Sequence, residues 1–140
     1  MKPVKIIVNI AMLVFVALSL IRWSGDPTFH VVIGSLLTVL FITHFSINIK
    51  PFVAMTKKLG KLNVKMKLQY AVDVILLVLW SVVVLTGITA TITYLNTDFT
   101  TQGTGRLHGM LGRISCGFIL IHTLQHIKQI RLYFKKKNIA

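Results

Sequence analysis

Residues 105–126 read GRLHGMLGRISCGFILIHTLQH, an apolar segment that carries His108 and His122 fourteen residues apart. Residues 29–50, FHVVIGSLLTVLFITHFSINIK, repeat the pattern: His30, Gly34 four residues on and His44 ten residues further match His108, Gly112 and His122. On an α-helix fourteen residues advance about 21 Å and stop about 40° short of four full turns. The two histidines of each pair therefore share one helix face and lie near opposite sides of a bilayer. That is ligand geometry for two stacked cofactors.

The rest of the composition agrees with a membrane setting. The 140 residues suit one domain, but 54% are hydrophobic, mean hydropathy is +0.76, and the apolar residues come in long blocks. A net charge of +13 invites a nucleic-acid reading, in which a basic surface neutralises phosphates. The distribution excludes it. Thirteen of the sixteen basic residues sit in three places: Lys2 and Lys5; Lys50, Lys57, Lys58, Lys61, Lys65 and Lys67; and Lys128, Arg131, Lys135, Lys136 and Lys137. These alternate with connections that hold only Arg22 and Arg106, the asymmetry of the positive-inside rule. Cys116 is the single cysteine, so there is no disulfide framework and no CxxCH for covalent haem attachment.

In chain order, helix 1 is expected over about 4–23, with a basic start and Trp23 as interfacial anchor. A cleaved signal peptide is the alternative. Only Ala17 and Ser19 have the small-residue spacing of a cleavage site, and Leu20 and Ile21 follow, which favours an uncleaved helix. Ser24–Pro27 reads as a tight outer turn, and helix 2 runs over about 28–49, stopped by Pro51. Residues 50–67 read as a basic cytoplasmic loop, a solvated orientation signal whose Phe52, Val53 and Met55 would dip into the interface in the alternative reading.

Helix 3 is expected over about 68–95, with Asp73 in its first turn near the positive helix end and neighbouring lysines. Thr86 and Gly87 lie in its outer half, where a missing side chain allows close approach of a neighbouring helix or a porphyrin edge. A polar outer loop, Asn96–Gly105, leads to helix 4 over about 106–133. The expected fold is all-α: a single transmembrane domain, residues 1–140, forming a four-helix up-down-up-down bundle with both termini cytoplasmic. An offset of 78 residues superposes His30, Gly34, His44 and Lys50 on His108, Gly112, His122 and Lys128, while helices 1 and 3 show no comparable identity.

Helices 2 and 4 both follow outer connections and so descend in parallel, which sets His30 level with His108 and His44 level with His122. Iron in a porphyrin has two axial positions, and two imidazoles fill both, which suits electron transfer and leaves no site for oxygen. Two haem b groups are expected, an outer one on His30 and His108 and an inner one on His44 and His122. His30, Gly34, Leu37, Phe41, His44 and Asn48 share one stripe of helix 2; His108, Gly112, Ser115, Ile119, His122 and His126 share one of helix 4. Gly34 and Gly112 stand where a macrocycle would strike a side chain, and Leu37, Phe41, Ser115 and Ile119 would pack between the two haems. Four intramembrane histidines used only for helix-to-helix bonding are the rival explanation, and the cost of ionisable groups in a bilayer argues against it. Zinc fits less well, since its ligands gather in one small sphere.

His126, one turn after His122, is read as a polar neighbour of the inner haem or quinone-site residue, or else as an alternative axial ligand. Guanidinium groups pair with carboxylates, so Arg113, Arg106 and Arg22 are candidate partners of outer haem propionates, with Lys50 and Lys128 serving the inner ones.

The double HxxxG(x9)H pattern on helices 2 and 4 resembles the ligand helices of cytochrome b in quinol–cytochrome c oxidoreductases. The small size, Asn48 four residues after His44 and the Thr86–Gly87 pair make the chain, over residues 28–130, more similar to a bacterial family of four-helix di-haem cytochrome b proteins. That family is related to the cytochrome b subunits of NiFe hydrogenase and formate dehydrogenase, whose ligands are spread over other helices as well. The resemblance implies haem b, a quinone as electron donor or acceptor, a redox partner on one membrane face and location in the bacterial cytoplasmic membrane. The expected function is electron transfer across that membrane between the quinone pool and a partner redox protein. The alternatives are a haem-containing anchor subunit of a larger dehydrogenase complex and a haem-free small transporter or assembly factor.

Overall fold

A computed structural model describes the backbone of residues 3–21, 27–97 and 103–137; side chains are described within these ranges except at 3, 97, 128–130 and 132–137. Four α-helices account for nearly all of it: α1 Pro3–Leu20, α2 Pro27–Lys57, α3 Val64–Thr97 and α4 Thr104–Lys137. One 3₁₀ turn, Leu59–Lys61, lies between α2 and α3. The expected anchor Trp23, Arg22, the turn residues 24–26 and half of the loop expected over 96–105 (98–102) lie outside the described residues, as does the side chain of Lys128.

Among the described residues, three helices are long and apolar enough to cross a membrane, Pro27–Lys57, Val64–Asn96 and Thr104–Ile127. The described apolar part of α1, Val4–Leu20, is shorter. Large apolar side chains along the long helices point outward, among them Val39 (62% exposed), Leu85 (63%) and Leu120 (61%). Such surfaces match hydrocarbon, not water, and mark a multi-pass membrane protein in contact with lipid. The hydroxyls obey the same constraint. Thr38 donates to the carbonyl of Gly34 at 2.8 Å, Ser81 to Leu77 at 2.9 Å and Thr123 to Ile119 at 2.8 Å, so each polar group is satisfied within its own helix.

The chain divides into two compact units, Met1–Leu62 with Gln125–Ala140, and Asn63–Leu124. In the first, α1 packs along α2 in antiparallel register, with Lys5, Asn9 and Ser19 bonded to Asn48, His44 and His30 respectively. Ile6 and Val8 are buried on α1, Ile33 and Leu37 on α2. In the second, α3 and α4 are likewise antiparallel, Asp73 meeting His122 and Val83 meeting His108. Leu76, Trp80 and Val83, spaced four and three apart, form the buried stripe of α3, and Ser115 is the buried polar residue of α4.

α1 ends at Leu20 and α4 runs on to Lys137, against about 23 and 133 expected, and three other boundaries differ for local reasons. Pro27 is not a turn residue but the first residue of α2, where its fixed φ suits a helix and its missing N–H is no loss. Pro51 does not stop α2, which continues to Lys57. The rings of Phe45 and Phe52, 5.9 Å apart and edge-on, clamp the two sides of the proline, and Thr56 donates to the carbonyl of Phe52 at 3.1 Å. The basic loop expected over 50–67 is thereby reduced to 58–63. Helix α3 starts at Val64, not Leu68, because Asn63 caps it: its Oδ1 accepts the amide of Met66 at 2.9 Å.

Because α2 already runs six residues past Pro51, Pro51→Ala is expected to leave the helical content measured by far-ultraviolet circular dichroism unchanged. A gain corresponding to about two extra turns would place the end of the helix at the proline instead.

Candidate functional site

The four paired histidines carry the same arrangement. Each presents Nδ1 to an oxygen on the helix that precedes its own. His30 Nδ1 lies 3.2 Å from the carbonyl oxygen of Ser19, and His44 Nδ1 lies 2.9 Å from Asn9 Oδ1. His108 Nδ1 lies 3.0 Å from the carbonyl oxygen of Val83, and His122 Nδ1 lies 2.8 Å from Asp73 Oδ1. A carbonyl or carboxylate oxygen only accepts, so Nδ1 donates. In a neutral imidazole the proton on Nδ1 places the lone pair on Nε2. This is how metal-binding histidines are commonly held: the outer nitrogen bond fixes tautomer and ring orientation, and the opposite nitrogen is the ligand.

The local reasons for each acceptor differ. Ser19 stands in the last turn of α1, where carbonyls have no partner further along the helix, so its oxygen is open to His30. Val83 lies within α3, where the side chain four residues on would normally crowd its carbonyl. That residue is Gly87. A Cβ built there would sit 3.0 Å from Cε1 and 3.3 Å from Nδ1 of His108, so the absent side chain is what admits the imidazole. Thr86 Oγ1, 3.4 Å from His108 Nδ1, borders the same contact. The close approach expected at Gly87 is therefore made by a histidine ring on the neighbouring helix.

Asp73 departs from its expected role. Because α3 begins at Val64, Asp73 is not in the first turn beside the positive helix end but more than two turns along, where it bonds His122 in a partly buried position. Asn9, which the sequence reading did not single out, does for His44 what Asp73 does for His122. The signal was available: Asn9 and Asp73 interrupt the otherwise apolar runs of α1 and α3, and each stands ten residues before the carbonyl that holds the other histidine, Asn9 before Ser19 and Asp73 before Val83. An offset of 64 residues relates both acceptors of α1 to those of α3, just as 78 relates the histidines. The repeat that the letters of helices 1 and 3 conceal is thus present in their hydrogen bonds.

The remaining candidates fall as follows. Gly34 and Gly112 are glycines that the packing of the described residues does not require, since a Cβ at either would meet no atom within 4 Å. Leu37 and Ser115, in the middle of the two stripes, are each only 3% exposed; Phe41 and Ile119 are partly buried. Asn48 accepts from Lys5 Nζ at 2.8 Å and donates to the carbonyl of His44 at 2.8 Å, which ties this part of α2 to the start of α1. Arg113 is exposed and turns back on its own helix, its Nε donating to the carbonyl of Gly109 at 3.2 Å; Arg106 and Lys50 are exposed. Asp73 and His122 offer a carboxylate oxygen and an imidazole together, and His126 stands one turn further along α4, on the face it shares with His122. Between them in sequence, Gln125 Oε1 is a buried oxygen with no hydrogen-bond partner among the described residues. Comparison with known protein families, with characterised proteins and with solved structures finds no match to this chain.

Gly87→Ala is expected to push the His108 ring off the Val83 carbonyl and to lower stability against denaturant in detergent by about 1–2 kcal/mol. Gly117→Ala, with no described atom in reach, should not lower stability. Equal effects of the two would contradict the contact.

Proposed function

We propose that this chain is a di-haem b-type cytochrome of the bacterial cytoplasmic membrane, an up-down-up-down four-helix bundle with cytoplasmic termini. It moves electrons across the membrane between the quinone pool and a partner redox protein. The observation that carries this reading is that all four paired histidines have Nδ1 anchored to an oxygen of the preceding helix, which directs the Nε2 lone pair of each ring to coordination.

The donor set fits haem iron. His30, His44, His108 and His122 would hold haem iron through Nε2, and the iron would supply reversible one-electron chemistry. The equal fourteen-residue spacing on α2 and α4 matches His30 with His108 as the outer pair and His44 with His122 as the inner pair. Gly34 and Gly112 leave room for a flat macrocycle one turn from the outer ligands, a use that explains glycines the protein's own packing does not require. Arg113, exposed beside His108, is placed to meet a propionate by exchanging its bond to the Gly109 carbonyl for a carboxylate. A quinol hydroxyl would find its acceptor and donor at the inner end of α4 in Gln125 and His126.

Protein purified in mild detergent is expected to contain two haem b per polypeptide by reduced-minus-oxidised visible spectra and pigment extraction. His44→Ala and His108→Ala should each retain about one. Gly34→Ala and Gly112→Ala should lower haem content while leaving the helical fold intact. A colourless, well-folded preparation from haem-replete cells would overturn the assignment and return the histidines to a haem-free transporter or assembly role.

A further inference from the structure

We propose that Asp73 is a positioning residue that sets the inner haem at a lower reduction potential than the outer one; the inference rests on the di-haem reading above. The basis is a difference in what holds the four rings. At the outer level both acceptors are backbone carbonyls, Ser19 to His30 at 3.2 Å and Val83 to His108 at 3.0 Å. At the inner level both are side chains, the amide of Asn9 to His44 at 2.9 Å and the carboxylate of Asp73 to His122 at 2.8 Å. The shortest of the four bonds goes to the only charged acceptor.

Orientation alone does not call for that charge. Asn9 holds His44 at nearly the same distance with a neutral amide, at the position related to Asp73 by the repeat. A carboxylate inside a membrane span is costly, and Asp73 is one of only three acidic residues in the chain. Its effect on the ligand is specific. A carboxylate accepting the Nδ1 proton draws it from the ring, makes Nε2 a stronger electron donor and adds a negative charge near the iron. Both effects favour the ferric over the ferrous state, and hydrogen bonding around the ligand together with net charge are recognised controls of potential. The backbone carbonyls of the outer level exert neither effect to the same degree. The inner level is therefore the harder one to reduce, and Asp73 is the residue that makes it so.

The test is a spectroscopic redox titration of the purified holoprotein, beginning with its haem content. The wild type should titrate in two separate steps. Asp73→Asn, which keeps an oxygen for the Nδ1 proton but removes the charge, should raise the lower step by about tenfold in the reduction equilibrium, about 59 mV for one electron, and leave the upper step in place. Asp73→Glu should restore the original separation. Should Asp73→Asn lose haem, Asn9→Asp carries the test: a second carboxylate at the inner level should lower the same step by a similar factor. Two haems retained with neither step moved, or with both moved equally, would overturn the role of Asp73 and leave the di-haem reading standing. Wild-type protein without haem would overturn that reading first, and this inference with it.

Discussion

Everything distinctive in this protein depends on one bond made four times: a histidine Nδ1–H donated to an oxygen on the preceding helix. In hydrocarbon there is no water to satisfy an imidazole, so a histidine placed there must find a partner in the protein. Each helix pair supplies two, ten residues apart on the first helix and fourteen apart on the second. The unequal spacings are compatible because the acceptor of His30 and of His108 is the backbone itself, while that of His44 and of His122 is a side chain that reaches across. The same bonds tie α1 to α2 and α3 to α4, in a chain whose apolar surfaces gain nothing by leaving one lipid-like environment for another.

Much of this was legible in the sequence, and the rest was hidden for identifiable reasons. The three long helices, the two stripes and the pairing of histidines with glycines follow from hydropathy and from the 3.6-residue period. The end of α2 did not, because the rule that proline stops a helix describes a lost bond and a clash, not the Phe45–Phe52 contact that spans them. The start of α3 at Val64 matters more. Four residues made Asp73 look like a helix-end charge when it is a histidine partner, and Asn63, the cap that decides the matter, is a single unremarkable letter in a lysine-rich stretch.

Asn9 was missed for a different reason. Attention to ionisable residues passes over an amide, although in a membrane span an amide is nearly as conspicuous. The relationship between α1 and α3 lies in what their atoms accept, and two of the four acceptors are backbone carbonyls that no comparison of side chains registers.

The use of a main-chain oxygen to hold His30 and His108 has an evolutionary consequence. The Val83 carbonyl is present whatever residue occupies position 83, so no substitution there deletes the acceptor, and the contact is guarded only through Gly87. Asn9 and Asp73, by contrast, can be exchanged, extended or neutralised one codon at a time. The protein is thus built with one end insulated from mutational drift and the other open to adjustment, and relatives suited to different environments should differ at the adjustable end.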